Sequence, residues 1–168
     1  LFMARKRVLE RPSEQFKGQL TILLPIWNEA KVLHEKLENL LETTKSFKPH
    51  LVMIDSASTD DSLSIAKIWG GQDEFASYTI LEMEERKGKT AAVQRALKHI
   101  EASIETDLIL MTDADAMLEA DTVSNLMQWF SDPSIGCVGA APKRVGQRME
   151  EEKHREIFSM VRNLESNI

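Results

Sequence analysis

A chain of 168 residues, 42% hydrophobic and 29% charged, is long enough to bury one core without disulfide staples, and its composition excludes disorder and fibrous repeats. The formal net charge of -6 excludes a nucleic-acid duplex as the main partner, because such binding needs Lys and Arg clustered against phosphates. A single cysteine, Cys137, excludes an intrachain disulfide and fits a reducing compartment; no apolar run reaches the roughly 20 residues of a membrane helix, and nothing resembles a signal peptide.

In chain order, a basic segment at 1–19 comes first. Its cluster "ARKRVLER" (Ala4 to Arg11) reads either as a patch against an anionic membrane surface or as a solvated tail. Five short apolar runs then alternate with longer segments of helical period. The runs are "LTILLP" (Leu20 to Pro25), "LVMID" (Leu51 to Asp55), "YTILE" (Tyr78 to Glu82), "DLILMT" (Asp107 to Thr112) and "IGCVGA" (Ile135 to Ala140), the last making Cys137 a small buried strand residue. Helices are expected over Glu29 to Thr43, with Val32, Leu33, Leu37, Leu40 and Leu41 inward. Two more are expected over Asp60 to Trp69, with Leu63, Ile65, Ala66 and Ile68 inward, and over Lys89 to Ile100, with Ala92, Val93, Ala96, Leu97 and Ile100 inward. Asp121 reads as the N-cap of Thr122 to Phe130, which Pro133 stops. An amphipathic helix around Met149 to Glu165 carries Ile157, Phe158, Val161 and Leu164. No internal repeat occurs, and a unit length of about thirty residues per strand and helix predicts a doubly wound α/β fold, a mostly parallel sheet with helices on both faces. The domain spans 20–148, followed by the helix at 149–168. A first residue Leu and a helical pattern cut off at Ile168 read as a piece of something longer.

In an open parallel sheet the ligand lies beyond the carboxyl ends of the strands. Polar turns collect there: "PIWNE" (Pro25 to Glu29), "DSASTDD" (Asp55 to Asp61) and "DADA" (Asp113 to Ala116). Asp113 and Asp115, two apart in an extended segment, can share one hard divalent cation, Mg²⁺ or Mn²⁺; the plainer alternative is one turn cap and one solvated carboxylate. Lys87, Gly88 and Lys89 open a helix whose N–H groups and ammoniums can meet phosphate oxygens, or form an ordinary basic helix start. The spacing of a P-loop is missing. Asp55 can accept hydrogen bonds from a base or ribose, or serve as a turn residue, with Ser56, Ser58 and Thr59 supplying turn and capping hydroxyls. Asn28 and Glu29 suit a ligand or the start of the next helix, and Trp27 suits a ligand ring or packing. The four histidines lack metal-ligand spacing, no G-x-S-x-G elbow occurs, and no G-x-G-x-x-G follows the first strand, which disfavours a dinucleotide oxidoreductase.

Taken together, "TILLPIWNEA", "VMIDSASTDDSLSIA", "ERKGKTAAVQRAL", "DLILMTDADAMLEADTV" and "WFSDPSIGCVGA" resemble the successive motifs of the family 2 glycosyltransferases, which have the GT-A fold. The resemblance covers Leu20 to Ala140. It implies a nucleotide diphosphate sugar donor, a UDP-sugar ahead of a GDP-sugar, with Pro25, Trp27, Asn28 and Glu29 lining the nucleotide pocket, Asp55 on the base, and Ser58 in the same loop. It implies that Gly88 and Lys89 form the family's G-K turn, and that Asp113 and Asp115 are its D-x-D, holding the metal and the donor's diphosphate.

The chain departs from the family with Trp27 where Tyr or Phe is common and Ala120 where Pro is common before Asp121. The acidic motif that supplies the base, and the Q-x-x-R-W motif of processive members, are absent. The tail resembles the helix preceding the acceptor region in processive, membrane-associated members. The implied protein is therefore the donor-binding part of an inverting hexosyltransferase of polysaccharide biosynthesis. It would stop before the acceptor half, have an unnamed catalytic base and transfer little by itself. A carbohydrate or lipid acceptor and a cytoplasmic location, at or near the membrane face, are implied with it. Rival readings are a non-catalytic nucleotide-sugar binding module and a sugar nucleotidyltransferase; the latter would need a Gly- and Arg-rich loop where "PIWNEA" stands.

Overall fold

The computed structural model describes residues 16–70 and 74–141. Four strands, β1 (Leu20–Ile26), β2 (His50–Asp55), β3 (Ser77–Glu82) and β4 (Leu108–Met111), form one sheet in the order β3-β2-β1-β4, and every pairing is parallel. Helices α1 (Leu33–Thr44), α2 (Ser62–Trp69), α3 (Lys89–Ser103) and α4 (Thr122–Gln128) connect or follow them.

β1 and β2 read as near-continuous apolar runs because both of their faces are covered. Ile22, Leu24, Ile26, Leu51 and Met53 face α1 and α2; Leu23, Val52 and Ile54 face Ala92, Ala96 and Ile100 of α3. α4 joins the first layer, where Val123 and Met127 pack with Leu20, Leu108 and Leu110. Helices thus lie on both faces, as expected.

Strand order reverses at β1: the chain runs outward through β2 and β3, then returns to place β4 on the other side. The Leu23 carbonyl accepts from Thr112 N–H at 3.2 Å, so Pro25, two residues on, turns its backbone the same way, past the end of β4. A proline is tolerated in this inner strand because its missing N–H has no ladder bond to make.

Several expectations are corrected. Ile135 to Ala140 is not a strand, and Cys137 is exposed rather than buried. The Ile135 N–H closes a turn onto the Asp132 carbonyl, no described strand offers the run a ladder, and Gly136 and Gly139 weaken its strand preference. Ile68 is 81% exposed. α2 buries Ser62, Ala66 and Trp69 instead, an equally helical spacing chosen because Ser62 is tied into the neighbouring loop. Leu97, Ile109 and Met111 are also exposed, since α3 packs over β1 and β2 and leaves that face of β4 uncovered. Asp121 stands at the N-cap of α4 but makes no side-chain capping bond. The basic cluster at Ala4 to Arg11 and the helix at Met149 to Glu165 lie outside the described residues. Among the described residues, no helix is long and apolar enough to cross a membrane.

Candidate functional site

The loops after β1 and β2 are stitched to each other. Asn28, at φ 56°, adopts a left-handed conformation that asparagine tolerates better than most residues. Its N–H donates to Ser58 Oγ at 2.9 Å, and its Oδ1 accepts from Thr59 N–H at 2.8 Å. Glu29 N–H donates to Ser62 Oγ at 2.7 Å and Ala30 N–H to Asp60 Oδ2 at 3.1 Å. Ser58 N–H donates to Asp55 Oδ2 at 3.0 Å. These contacts leave Asn28 and Ser58 as builders of the loop pair, and they fix Asp55 at the tip of β2.

Asp55 is 2% exposed, and its second oxygen, Oδ1, is buried without a hydrogen-bond partner; the hydroxyl of Ser56 shares that condition. Such orphaned polar groups are costly, about 1–3 kcal/mol each. They are the groups a bound ligand's donors and acceptors would satisfy. Beside them Trp27 is 38% exposed and carries the Arg86 guanidinium 3.3 Å from its ring centroid. That cation–π stack makes one flat wall of the cleft, and Arg86 went unnoticed in the sequence.

On the other side, α3 begins at Gly88, whose φ of 85° suits glycine alone; a Cβ there would meet nothing within 4 Å. The first helical residue, Lys89, sends Nζ to Asp113 Oδ1 at 2.5 Å, an exposed ion pair. Open space, unsatisfied N–H groups and an ammonium at a helix N-terminus suit phosphate oxygens.

The acidic pair is not extended, as the sequence suggested. β4 ends at Met111, and Ala116 N–H donates to the Asp113 carbonyl at 3.2 Å, closing a turn. Buried Ala114, 3% exposed within the α1-side core, draws the chain inward between the two exposed aspartates. Both carboxylates remain near Glu29: burial raises the Glu29 carboxyl above the usual glutamate value, and the charges of Asp115, Asp60 and Asp113 add to the effect against Lys89.

Among the described residues no three His, Cys, Asp or Glu side chains converge to hold a metal by themselves. A small hard cation such as Mg²⁺ is usually held by one or two carboxylates with the remaining positions taken by substrate phosphates and water. Two exposed carboxylates on one turn, both close enough to Glu29 to add to the effect of its burial, fit that kind of site. Asp113 and Asp115 are the residues that would hold the ion.

The structure thus brings Trp27, Asn28, Glu29, Asp55 and Ser58 together at the carboxyl ends of β1 and β2, and ties Lys89, next to Gly88, to Asp113 in the turn after β4, where Asp115 is also exposed. Pro25 stands near the end of β1, the strand between β2 and β4. The tips of β2 and β4 are two strand spacings apart, about 10 Å, a separation that a nucleoside diphosphate can bridge. Sequence reasoning missed Lys36 and Asn39 of α1, which hold the acidic turn from beneath. A signal existed, since Lys36 interrupts the apolar stripe of Leu33, Leu37 and Leu40.

An all-parallel sheet with helices on both faces and polar turns gathered at its switch point defines a doubly wound α/β domain. The family model described as glycosyl transferase family 2 matches residues 21–167, and the chain belongs to that family, with the GT-A fold. It is 28% identical over 126 residues to a poly-beta-1,6-N-acetyl-D-glucosamine synthase of Staphylococcus aureus, covering 74% of this chain and 28% of that protein. It is 24% identical to an N-acetylglucosaminyltransferase of Azorhizobium caulinodans, over 94% of this chain and 37% of the relative. Among solved structures, a mannosyltransferase of Pyrobaculum calidifontis in complex with GDP-Man and Mn²⁺ superposes with a TM-score of 0.66 at 33% identity, over 80% of this chain and 39% of that one. The chain therefore spans well under half the length of these relatives.

Proposed function

We propose that the cleft binds a nucleotide diphosphate sugar together with a divalent cation, for inverting transfer of the hexosyl group to an acceptor hydroxyl. The observation that carries the reading is the pairing of a buried, half-satisfied Asp55 at one strand end with an exposed acidic turn at the other. Asp55 Oδ1 accepts an N–H of the base, and Trp27 with its stacked Arg86 flanks the base ring. Pro25 and Glu29 line the nucleotide between the two strand ends. The open backbone at Gly88 and the Lys89 ammonium meet the diphosphate, with Lys89 exchanging its contact to Asp113 for phosphate oxygens. A cation on Asp113 and Asp115, Mg²⁺ or Mn²⁺, would neutralise the diphosphate as leaving group. The base that takes the acceptor proton is not assigned to any described residue.

A UDP-sugar is the first reading for the donor. The resemblance to a mannosyltransferase in complex with GDP-Man favours a GDP-sugar as the second. The poly-beta-1,6-N-acetyl-D-glucosamine synthase among the relatives supports a polysaccharide or related carbohydrate acceptor, and a site at the cytoplasmic face of a membrane is part of the proposal. Calorimetric titration of the chain with UDP and with GDP, each with Mn²⁺ or EDTA, tests the donor site. Saturable binding of one nucleotide, tightened by Mn²⁺, is expected. Absence of binding for both nucleotides contradicts the reading.

A further inference from the structure

The acidic turn is gripped from behind by two residues of α1. Lys36 and Asn39 lie three apart and so share one helix face. Lys36, 0% exposed, donates from Nζ to Thr112 Oγ1 at 2.9 Å and to the Ala116 carbonyl. Asn39 donates from Nδ2 to the Leu118 carbonyl at 2.9 Å and accepts from Leu118 N–H at 2.8 Å. Four hydrogen bonds therefore fasten the segment on either side of Asp113 and Asp115, and none of them uses those carboxylates.

Core packing gives no reason for a lysine here. Leu33, Leu37 and Leu40 are all fully buried beside it, and a leucine or methionine at 36 would extend that stripe without desolvating a charge. What the ammonium adds is a fixed anchor for the turn and a positive charge directly behind two negative ones. Burial lowers Lys36 to about 8, while the charges of Asp113 and Asp115 pull it back upward, which places both carboxylates within its field.

We propose that Lys36 and Asn39 form a latch that holds the acidic turn in its ligand-binding conformation, Lys36 acting as a positioning residue for Asp113 and Asp115. The metal-binding clause of this proposal rests on the donor-site reading; the latch itself rests on the four bonds.

Lys36→Met and Asn39→Ala test it. Amide hydrogen exchange read over 113–118 and over β1 and β2 is expected to quicken in the turn only. Mn²⁺ affinity, measured by electron paramagnetic resonance with UDP or GDP present, should fall about 10-fold to 100-fold, the usual cost of losing a residue that orients metal ligands. Nucleotide affinity in EDTA should hold, and Lys36→Met should add no loss in an Asp115→Ala background. Equal weakening with and without Mn²⁺ would reveal a general structural role and overturn the positioning claim. Unchanged exchange in the turn would overturn the latch. Should Lys36→Met not fold, Asn39→Ala carries the same comparison. A wild type that binds neither Mn²⁺ nor nucleotide contradicts the donor reading, and the exchange data still decide the latch.

Discussion

The two halves of the cleft are built in opposite ways. On the β1–β2 side the loops bind each other: Asn28 with Ser58 and Thr59, Glu29 with Ser62, Ala30 with Asp60. Among the buried side-chain polar atoms of the described residues, Asp55 Oδ1 and the Ser56 hydroxyl are left without a partner. On the β4 side the turn is anchored from below by α1, and the carboxylates of Asp113 and Asp115 are exposed in front. The first half is a preformed socket with few unfilled contacts, suited to a flat, hydrogen-bonding group. The second is a fixed support with exposed charge, suited to an ion and its phosphates. Affinity on the first side should depend on shape and desolvated hydrogen bonds, and on the second on charge, salt and metal.

The strongest way to break this contrast is at Asp55. Asp55→Ala removes the bond to Ser58 N–H and should cost about 1–3 kcal/mol in stability. In nucleotide titrations its loss of affinity should be the same with Mn²⁺ as with EDTA. A loss confined to the Mn²⁺ series would show that the two halves are not separate. Gly88→Ala forces an L side chain into a conformation almost reserved for glycine, at about 1–3 kcal/mol. Because a Cβ there meets no protein atom, the cost should appear in the urea midpoint of the free protein, and affinity should fall further if phosphate sits close.

Smaller effects sharpen the comparison. Ser62→Ala removes a hydroxyl that joins Glu29 N–H to Asp60, which should lower stability by about 1 kcal/mol while leaving the response to Mn²⁺ intact. Glu29→Gln probes the negative neighbourhood. The folded carboxyl is raised, first by burial and then by Asp115, Asp60 and Asp113. Its ionised form therefore costs stability above the folded value, and that cost is absent below the ordinary glutamate value of 4.5. Glu29→Gln should raise Tm at pH 7 and leave it nearly unchanged near pH 4. Equal gains at both pH values would place the effect in packing rather than in charge.

Much of this was legible in the sequence because it depends on local pattern. Four strands and four helices announce themselves by period, and the polar turns mark the carboxyl edge. What stayed hidden depends on partners remote in the chain. "IGCVGA" has the composition of a strand, but a strand exists only where another offers it hydrogen bonds. Ile68 follows the apolar pattern of α2, yet the helix turns Ser62 inward because that hydroxyl serves a loop thirty-three residues earlier. The turn at Asp113 to Ala116 looked extended because nothing local shows that Ala114 is drawn into the core. Lys36 and Asn39 read as ordinary helix residues, since their partners lie 76 to 80 positions downstream. Arg86 meets Trp27 only across the cleft.

The central claim is that one nucleotide and one divalent cation bind together, with Asp115 as their link. Thermal unfolding of the wild type and Asp115→Ala, with UDP or GDP in Mn²⁺ or EDTA, tests it most directly. A ligand at about 100 times its Kd adds roughly 2.7 kcal/mol of stability. The account predicts such a gain for one of the two nucleotides with Mn²⁺, reduced in Asp115→Ala to the level seen in EDTA. Equal stabilisation of wild type and Asp115→Ala in Mn²⁺, or none with either nucleotide, would contradict it.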